Sequence, residues 1–498
     1  MEPNPSIFLR AIRREAQSAD LFGAGLASGA SHAVMHRTAE ILAQLILRRE
    51  QLPQMLQSRR PEQLSSLQAI SQRLRMRGAQ VPAAIEHVIE RARDLNTDSG
   101  EADIQLYDEI SKCLTEGIRA LRFMRPALQE DVAFANDICR FLCESEIKLR
   151  EEYSRRLEQL RMAEAGDCQG LGELPAPTDT LLAAYLRKRL PAEDAIEVSN
   201  IQRLVGVNSK DIFFFDIGKS RGLDGSYVMR REPAYNVTQA KLVSEYELLL
   251  HLAKAGIPVP RALVGEGDIT QFGGGFIVTE KLPGAPRPAS KLGANGREIL
   301  RNIARISAQI HRVDIPRHLP QCVDAHLSTR DRMLAKVDAM YRRWVNERSE
   351  DSVIMESAYN WLRANVDRLD DLAVLTHGDF NLRNFLLDGD RVSAILDWEL
   401  CSVSHPAEDL SYIRPSLESV IPWDEYLAVY RAHSTYEVTD AAVAYFDVWC
   451  QFWRLVIAAS VYSAYDFKKH RNFLFASVAC VEYREELSQM ANLIATRL

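Results

Sequence analysis

One short segment decides the fold that the sequence predicts. Residues 377–384 read His-Gly-Asp-Phe-Asn-Leu-Arg-Asn. Asp379 and Asn384 are five residues apart, and a loop of that length lets the carboxylate face a reacting hydroxyl while the amide oxygen reaches a metal ion. Farther along, Asp397 directly follows an apolar stretch, a position suited to binding Mg²⁺. Asp and Asn also cap ordinary turns, but the joint pattern is more specific than either residue alone.

The chain before this segment is predicted to be rich in strands, and the chain around it rich in helices. Helices are predicted at 179–190 and 239–255, the second ended by Gly256. Runs of β-forming residues bounded by turn residues predict the strands. They cover residues 201–217, 227–230, 260–282 (as a hairpin), 385–387 and 393–396. This order predicts an α+β architecture with a β-rich lobe followed by a helical lobe.

The N-terminal third is predicted to form an all-α helical bundle. Apolar residues recur at helical spacing in several stretches, with Arg and Glu on the remaining faces. These stretches are 31–49, 61–75, 83–95 and 104–162. The Gly- and Pro-rich residues that follow predict a linker. We therefore predict a bundle domain at 1–165, a linker at 166–177, an N-lobe with its connector at 178–284 and a helical C-lobe at 285–498.

Composition excludes several classes of partner. A net charge of −7 gives no overall attraction to nucleic acid, so no nucleic-acid partner is expected. No apolar run reaches the roughly 18 residues that a transmembrane helix needs, which predicts no membrane insertion. The eight cysteines are scattered, as is typical of reduced thiols in a cytosolic protein. Residues 1–14 lack a signal-peptide pattern, and we expect a cytoplasmic location.

Residues 376–413 resemble the catalytic and metal-binding motifs of the aminoglycoside phosphotransferase-like family. The resemblance extends over about 178–485 and is strongest at 375–412. It implies a two-lobed protein-kinase-like fold that uses ATP and Mg²⁺. Asp379 would be the catalytic residue, and Asn384 and Asp397 would be the metal ligands. Asp409 matches a position that is chiefly structural and would orient the catalytic loop.

The N-lobe resembles the nucleotide-binding lobe of these relatives, with one substitution. Residues 227–230 resemble the strand that carries the phosphate-binding Lys of kinases, and Arg230 stands in its place. Glu245 resembles the helix Glu that pairs with it. Because Arg stays charged and can bind a phosphate or a carboxylate with two nitrogens, the role survives chemically. An ordinary exposed strand Arg is the alternative.

Two backbone segments complete the predicted nucleotide site. Relatives often carry Gly-Gly-x-Ser-Asn in the phosphate loop, whereas residues 205–210 here read Val-Gly-Val-Asn-Ser-Lys. Asn208 and Ser209 can still donate to phosphate, together with backbone N–H groups. Residues 278–284 resemble the connector between the lobes, where the backbone of Glu280 to Leu282 would bind adenine.

Three sequence features are most similar to the branch of the family associated with acyl-CoA dehydrogenases: residues 230–233, 257–260 and 397–400. That resemblance implies phosphorylation of a small-molecule hydroxyl, including that of a hydroxyacyl-CoA. The apolar stretch 445–454 is either an acceptor pocket or a core helix. A catalytically weak nucleotide-binding regulatory or scaffold protein is an alternative, and an aminoglycoside or macrolide kinase is a second. The N-terminal bundle leaves a homo-oligomer or a protein partner open.

Overall fold

The computed structural model describes two compact units. It describes residues 52–94, 100–124, 128–161, 176–191, 193, 195–204, 210–232, 241–348, 352–466, 483 and 486–497. The first unit draws on 1–172, 337–364 and 451–498, and the second on 173–336 and 365–450. The domain boundaries predicted from the sequence stay predictions. Residues 337–364 and 451–498 belong to the same unit as the N-terminal helices, whereas the sequence predicts them to be part of the C-lobe.

Four helices make up most of the first unit: α1 (Leu52–Met76), α2 (Ala83–Asp94), α3 (Gly100–Phe123) and α4 (Gln129–Arg161). The predicted helices at 61–75 and 83–95 are confirmed, and 104–162 divides into α3 and α4. The predicted helix at 31–49 lies outside the described residues. Apolar side chains of all four helices form one core. Gly117 allows α3 to approach α1 closely, because a Cβ at this position would overlap the Ile70 side chain.

A buried ion pair joins α3 to two helices from later in the chain, α8 (Thr329–Glu347) and α9 (Val353–Asn365). The Arg119 guanidinium donates to both carboxylate oxygens of Glu356 at 2.8 and 2.6 Å. It also contacts the hydroxyl of Tyr341, which donates to Glu356 at 2.8 Å. The Glu356 side chain is only 2% exposed, so its charge depends on Arg119 for compensation.

Replacing Arg119 is expected to destabilise the first unit. Arg119→Met leaves a buried carboxylate without its partner, and we expect a loss of about 3 kcal/mol in the free energy of unfolding. Arg140→Met is the matched control, because Arg140 and Asp137 form an exposed pair on α4. The control should cost less than about 0.5 kcal/mol. Denaturant unfolding followed by circular dichroism measures both, and equal losses would contradict the prediction.

An antiparallel five-stranded sheet forms the N-lobe of the second unit. Its strands are β1 (Glu197–Leu204), β2 (Asp211–Gly218), β3 (Gly225–Arg231), β4 (Ala262–Glu266) and β5 (Phe276–Glu280), in the order β1-β2-β3-β5-β4. Two helices accompany it, α5 (Asp179–Arg189), which Thr178 caps, and α6 (Ser244–Lys254). Among the described residues, the predicted helix 239–255 begins later than predicted, at Ser244.

Side-chain alternation on β2 and β3 decides which residues reach the site. Phe213 and Phe215 of β2 and Met229 of β3 are buried in a core shared with α5. Because successive side chains of a strand point to opposite faces, Arg230 points away from this core. Arg230 lies opposite Ile212 on β2 and Ile277 on β5. The sheet thus presents one guanidinium on the face that does not pack on α5.

The helical part of the second unit surrounds two small strand pairs. Its elements include α7 (Gly296–Ile310), α10 (Ala407–Leu417), α11 (Trp423–His433) and the start of α12 (Asp440–Asp466). Strand β6 (Val374–Thr376) pairs with β9 (Ser402–Ser404), and β7 (Phe385–Asp388) pairs with β8 (Arg391–Ile395). The predicted strands at 385–387 and 393–396 are therefore confirmed. The β-rich lobe followed by a helical lobe confirms the predicted α+β kinase-like fold.

One helix among the described residues, at Asp440–Val461, is long and apolar enough to cross a bilayer, whereas the sequence analysis found no such run. Two thirds of this stretch is buried inside the protein, as in a core helix.

The described cysteines are all free thiols and are buried, which agrees with the predicted reduced state; they are Cys113, Cys139, Cys143, Cys322, Cys401 and Cys450.

Candidate active site

The loop that follows β6 is held by one buried carboxylate. The backbone N–H groups of His377 and Gly378 donate to the two carboxylate oxygens of Asp409 at 2.8 and 3.0 Å. Asp409, on α10, also lies 3.3 Å from Nε2 of His311. Burial would raise the pKa of Asp409, but the hydrogen bond and charge of His311 and the contacts with His377 hold it below its ordinary value. The carboxylate therefore stays ionised and fixes the start of the loop.

His377 connects this loop to the strand that precedes Asp397. Its Nδ1 accepts the backbone N–H of Asp379 at 3.2 Å, so Nε2 carries the proton and donates to the carbonyl of Leu396 at 2.8 Å. Its ring packs against Trp398 with centroids 4.6 Å apart. Both ring nitrogens of His377 are therefore engaged in contacts that orient the loop.

Two amide side chains hold the carboxylate of Asp379. Asn381 donates to its Oδ1 at 2.7 Å, and Asn384 donates to its Oδ2 at 2.8 Å. Asn384 also donates to the backbone carbonyl of Asp379 at 2.8 Å, which occupies both hydrogens of this amide. The amide oxygen of Asn384 is therefore its remaining polar atom and suits a hard cation. Sequence reasoning missed Asn381, although its position two residues after Asp379 was a signal for a local hydrogen bond.

Asp397 adopts a left-handed backbone conformation, with φ of 64°. It lies two residues after the end of β8, and the backbone N–H of the intervening Leu396 donates to the carbonyl of Asn384 at 2.8 Å. Because non-glycine residues rarely adopt this conformation, the turn that aims the Asp397 carboxylate carries backbone strain. The hydrogen bond at Asn384 ties the two predicted metal ligands to one local framework.

Two buried cations contact a single oxygen of Asp397. Arg230 Nη1 and Lys210 Nζ each lie 3.2 Å from Asp397 Oδ1. Desolvation would raise the pKa of Asp397, but the charges of Lys210 and Arg230 hold it below its ordinary value. Sequence reasoning did not select Lys210 as a site residue, although it is the last residue of the stretch 205–210 that was compared with the phosphate loop.

Each cation has a second carboxylate partner. Arg230 Nη2 lies 2.5 Å from Glu245 Oε1, so the structure brings the predicted strand Arg and helix Glu together. Glu245 also accepts the backbone N–H of Trp398 at 3.1 Å, which fixes the turn after Asp397. Lys210 Nζ lies 2.5 Å from Glu399 Oε2. Burial raises the pKa of Glu399 to about 7, while the charge of Lys210 opposes that rise.

The connector that follows β5 is held by two backbone hydrogen bonds. The N–H groups of Glu280 and Lys281 donate to the carbonyls of Arg261 and Ser226, both at 2.9 Å. These bonds fix the course of the connector before Leu282, where the sequence predicts adenine binding. The predicted phosphate-binding residues Asn208 and Ser209 lie outside the described residues.

The donor set fits Mg²⁺. Magnesium takes oxygen ligands and often uses only one or two protein side chains beside water and phosphate. Asn384 and Asp397 supply an amide oxygen and a carboxylate, which meets that requirement. Among the residues that the structure describes, no group of three or more His, Cys, Asp or Glu could hold a metal ion. The site therefore suits a cation delivered with a polyphosphate better than an all-protein metal cage.

The apolar stretch 445–454 is largely core in the part that belongs to the second unit. Tyr445, Phe446 and Trp449 are at most 3% exposed. Phe446 stacks on His405, and the indole nitrogen of Trp449 donates to Glu408 at 2.8 Å. Of the two interpretations of this stretch, the core helix is the one that these contacts support.

A two-lobed fold with a held aspartate, two nearby oxygen donors and a strand cation is the arrangement typical of kinase-like phosphotransferases. Residues 200–445 match the model of the "Phosphotransferase enzyme family". The match covers just under half of the chain and agrees with the resemblance that the sequence shows.

The chain is also similar to curated proteins and to a solved structure. The chain is 28% identical over 242 residues to mouse acyl-CoA dehydrogenase family member 11, covering 47% of this chain and 30% of the mouse protein. The chicken protein of the same name is 30% identical over 194 residues, covering 38% and 25%. The chain thus spans less than a third of these curated relatives. A crystal structure of a proposed aminoglycoside phosphotransferase from Ralstonia eutropha superposes with a TM-score of 0.51 at 20% identity, covering 64% of this chain and 98% of that one, which supports the fold.

The tight turn at Gly378 gives a prediction about the loop. Its φ is +81°, and a Cβ there would overlap the carbonyl oxygen of Leu400. Gly389 is the matched control, because its φ is also positive, at +58°, but no atom lies within 4 Å of an added Cβ. Gly389→Ala should cost about 1–2 kcal/mol for the backbone alone. Gly378→Ala adds the overlap with Leu400 and should destabilise the protein several times more. Thermal denaturation measures both variants, and equal decreases in melting temperature would contradict the close approach at Gly378.

Proposed function

We propose that the protein is an ATP- and Mg²⁺-dependent phosphotransferase that phosphorylates a hydroxyl group of a small molecule. The observation that carries this proposal is the geometry of Asp379. Its two carboxylate oxygens are oriented by Asn381 and Asn384, and Asn384 shares a framework with Asp397. A positioned carboxylate beside hard oxygen ligands is the arrangement that phosphoryl transfer to an alcohol requires.

Each of the proposed site residues has a separate role in the reaction. The acceptor oxygen forms a bond to the γ-phosphorus while the bond to the β,γ-bridging oxygen breaks, and Asp379 accepts the hydroxyl proton. Asn384 and Asp397 would hold Mg²⁺, which neutralises charge on the phosphates when bound. Arg230, fixed by Glu245, supplies a cation to the phosphate oxygens. The backbone of Glu280 and Leu282 binds adenine, and Asn208 and Ser209 contribute donors to the phosphates.

For the acceptor, we propose a hydroxyacyl-CoA or another hydroxylated metabolite. The names of the relatives associate this kinase-like segment with acyl-CoA enzymes. The carboxylates that follow Asp409 also argue against a polycationic antibiotic. Arg414 binds Glu418 at 2.7 Å and Asp447 at 3.0 Å, and Glu425 binds Arg301 at 2.7 Å. Because these acidic groups are already paired, they offer an aminoglycoside little unneutralised negative charge.

Removing the proposed proton acceptor should abolish transfer. Asp379→Asn keeps the size of the side chain, and we expect the turnover number to fall about 10³-fold while ATP affinity changes little. Mass spectrometry of products formed from labelled ATP and a hydroxylated-metabolite panel, including hydroxyacyl-CoA, measures the effect. Asp388→Asn, an exposed change at the end of β7, is the control. Mg-ATP binding without any dependence of turnover on Asp379 would instead favour the regulatory alternative.

Arg230 should contribute to nucleotide affinity through its charge. Arg230→Met is expected to weaken ADP binding about tenfold or more, because a partly desolvated cation–phosphate contact is lost. Arg230→Lys should retain part of the affinity. Calorimetric titration with ADP measures both, and Arg221→Met, an exposed change in the same lobe, is the control. Unchanged ADP binding in Arg230→Met would remove Arg230 from the site.

A further inference from the structure

Lys210 is a buried cation that the proposed mechanism does not use. Its side chain is 5% exposed, and its ammonium lies between Asp397 and Glu399, at 3.2 and 2.5 Å. Burying an ammonium group is costly unless carboxylates compensate it. Both of its carboxylates come from the turn that carries a proposed metal ligand, so the position of Lys210 bears directly on that ligand.

Two cations of the protein lie against one oxygen of Asp397. Lys210 and Arg230 approach the same oxygen, Oδ1, each at 3.2 Å. Two like charges repel at this separation, and only the shared carboxylate makes the arrangement favourable. Together they place two unit charges against an oxygen of a proposed Mg²⁺ ligand. A metal ion that binds Asp397 would meet the repulsion of both.

Each cation also has a carboxylate to which it can withdraw. Arg230 contacts Glu245 and Lys210 contacts Glu399, both at 2.5 Å. When a divalent ion takes Asp397, neither cation is left uncompensated in the buried site. Without such second partners, displacing a buried charge would be strongly unfavourable. The contact between Lys210 and Asp397 is therefore exchangeable.

We propose that Lys210 guards the metal ligand Asp397: it occupies Oδ1 in the nucleotide-free protein, opposes binding of a free divalent cation and withdraws to Glu399 when the metal arrives with nucleotide. The negative charge of the polyphosphate offsets the repulsion that a bare ion meets. Metal and nucleotide consequently load together. This inference rests on the proposed function, because it requires the nucleotide-metal site.

Titration of the full-length protein with Mn²⁺, followed by the electron paramagnetic resonance signal of the free ion, tests this role. Without nucleotide, Lys210→Met should bind Mn²⁺ at least about tenfold more tightly than the unmodified protein, because one opposing charge is gone. Lys210→Arg keeps the charge and should retain weak binding. Lys219→Met is the matched control, since Lys219 is an exposed sheet lysine paired with Glu197.

Glu399→Gln provides a prediction of opposite sign. It removes the charge to which Lys210 withdraws, so Lys210 should stay at Asp397 and Mn²⁺ binding in the presence of ADP should weaken about tenfold. A purely structural role of this pair would instead weaken metal binding in both variants. If Lys210→Met does not fold, Lys210→Met/Glu399→Gln removes both partners without changing the net charge and should also bind free Mn²⁺ more tightly.

The outcomes separate the two proposals. If the unmodified protein binds Mn²⁺ and ADP together but Lys210→Met leaves the affinity for free Mn²⁺ unchanged, the guarding role is overturned and the proposed function stands. If the unmodified protein does not bind Mn²⁺ with ADP at all, both proposals are overturned. Tighter binding in Lys210→Met with weaker binding in Glu399→Gln supports the guarding role.

Discussion

The contact between Asp409 and the backbone at residues 377 and 378 is the constraint on which the site depends. A fully buried carboxylate is tolerable only when donors surround it, and here two backbone N–H groups and an imidazole do so. The same two N–H groups fix the direction in which the chain leaves β6. The position of Asp379 follows from that direction, and the position of Asn384 follows from its bonds to Asp379. The buried charge of Asp409 in the helical lobe thus sets the geometry of the loop at residues 377–384.

Charge balance is the second level of organisation. Two cations and two carboxylates lie around Asp397, and each cation contacts both Asp397 and a second carboxylate. The strand residue Arg230 and the helix residue Glu245 are held to the turn that contains Asp397. Under the proposed function, a nucleotide would therefore bind to a preformed electrostatic network and not to isolated side chains. Arg in place of Lys at the strand position suits this network, because its planar group contacts Glu245 and Asp397 through different nitrogens.

Sequence reasoning could predict the parts of this protein whose signals are local. The alternating strands, the hairpin at 385–396 and the spacing of Asp379 and Asn384 are all readable from short windows. The roles of Lys210 and His311 are not, because their partners lie 187 and 98 residues away. The grouping of residues 337–364 and 451–498 with the N-terminal helices could not be predicted for the same reason, because it depends on contacts between residues far apart in the sequence. Helical periodicity marks those segments as helices without stating which core they join.

The backbone conformation of Asp397 has a consequence for how this protein can change. Only Gly adopts a positive φ without cost, so the aspartate here gives up stability to keep a carboxylate at the turn. Arg230 and Lys210 also pair with Glu245 and Glu399, so loss of the Asp397 carboxylate would leave neither cation uncompensated. Selection for heat resistance alone would therefore favour losing this side chain, whereas selection for turnover would retain it. With the proposed role of Asp397 as a metal ligand, stability and catalysis are in direct conflict at this one position.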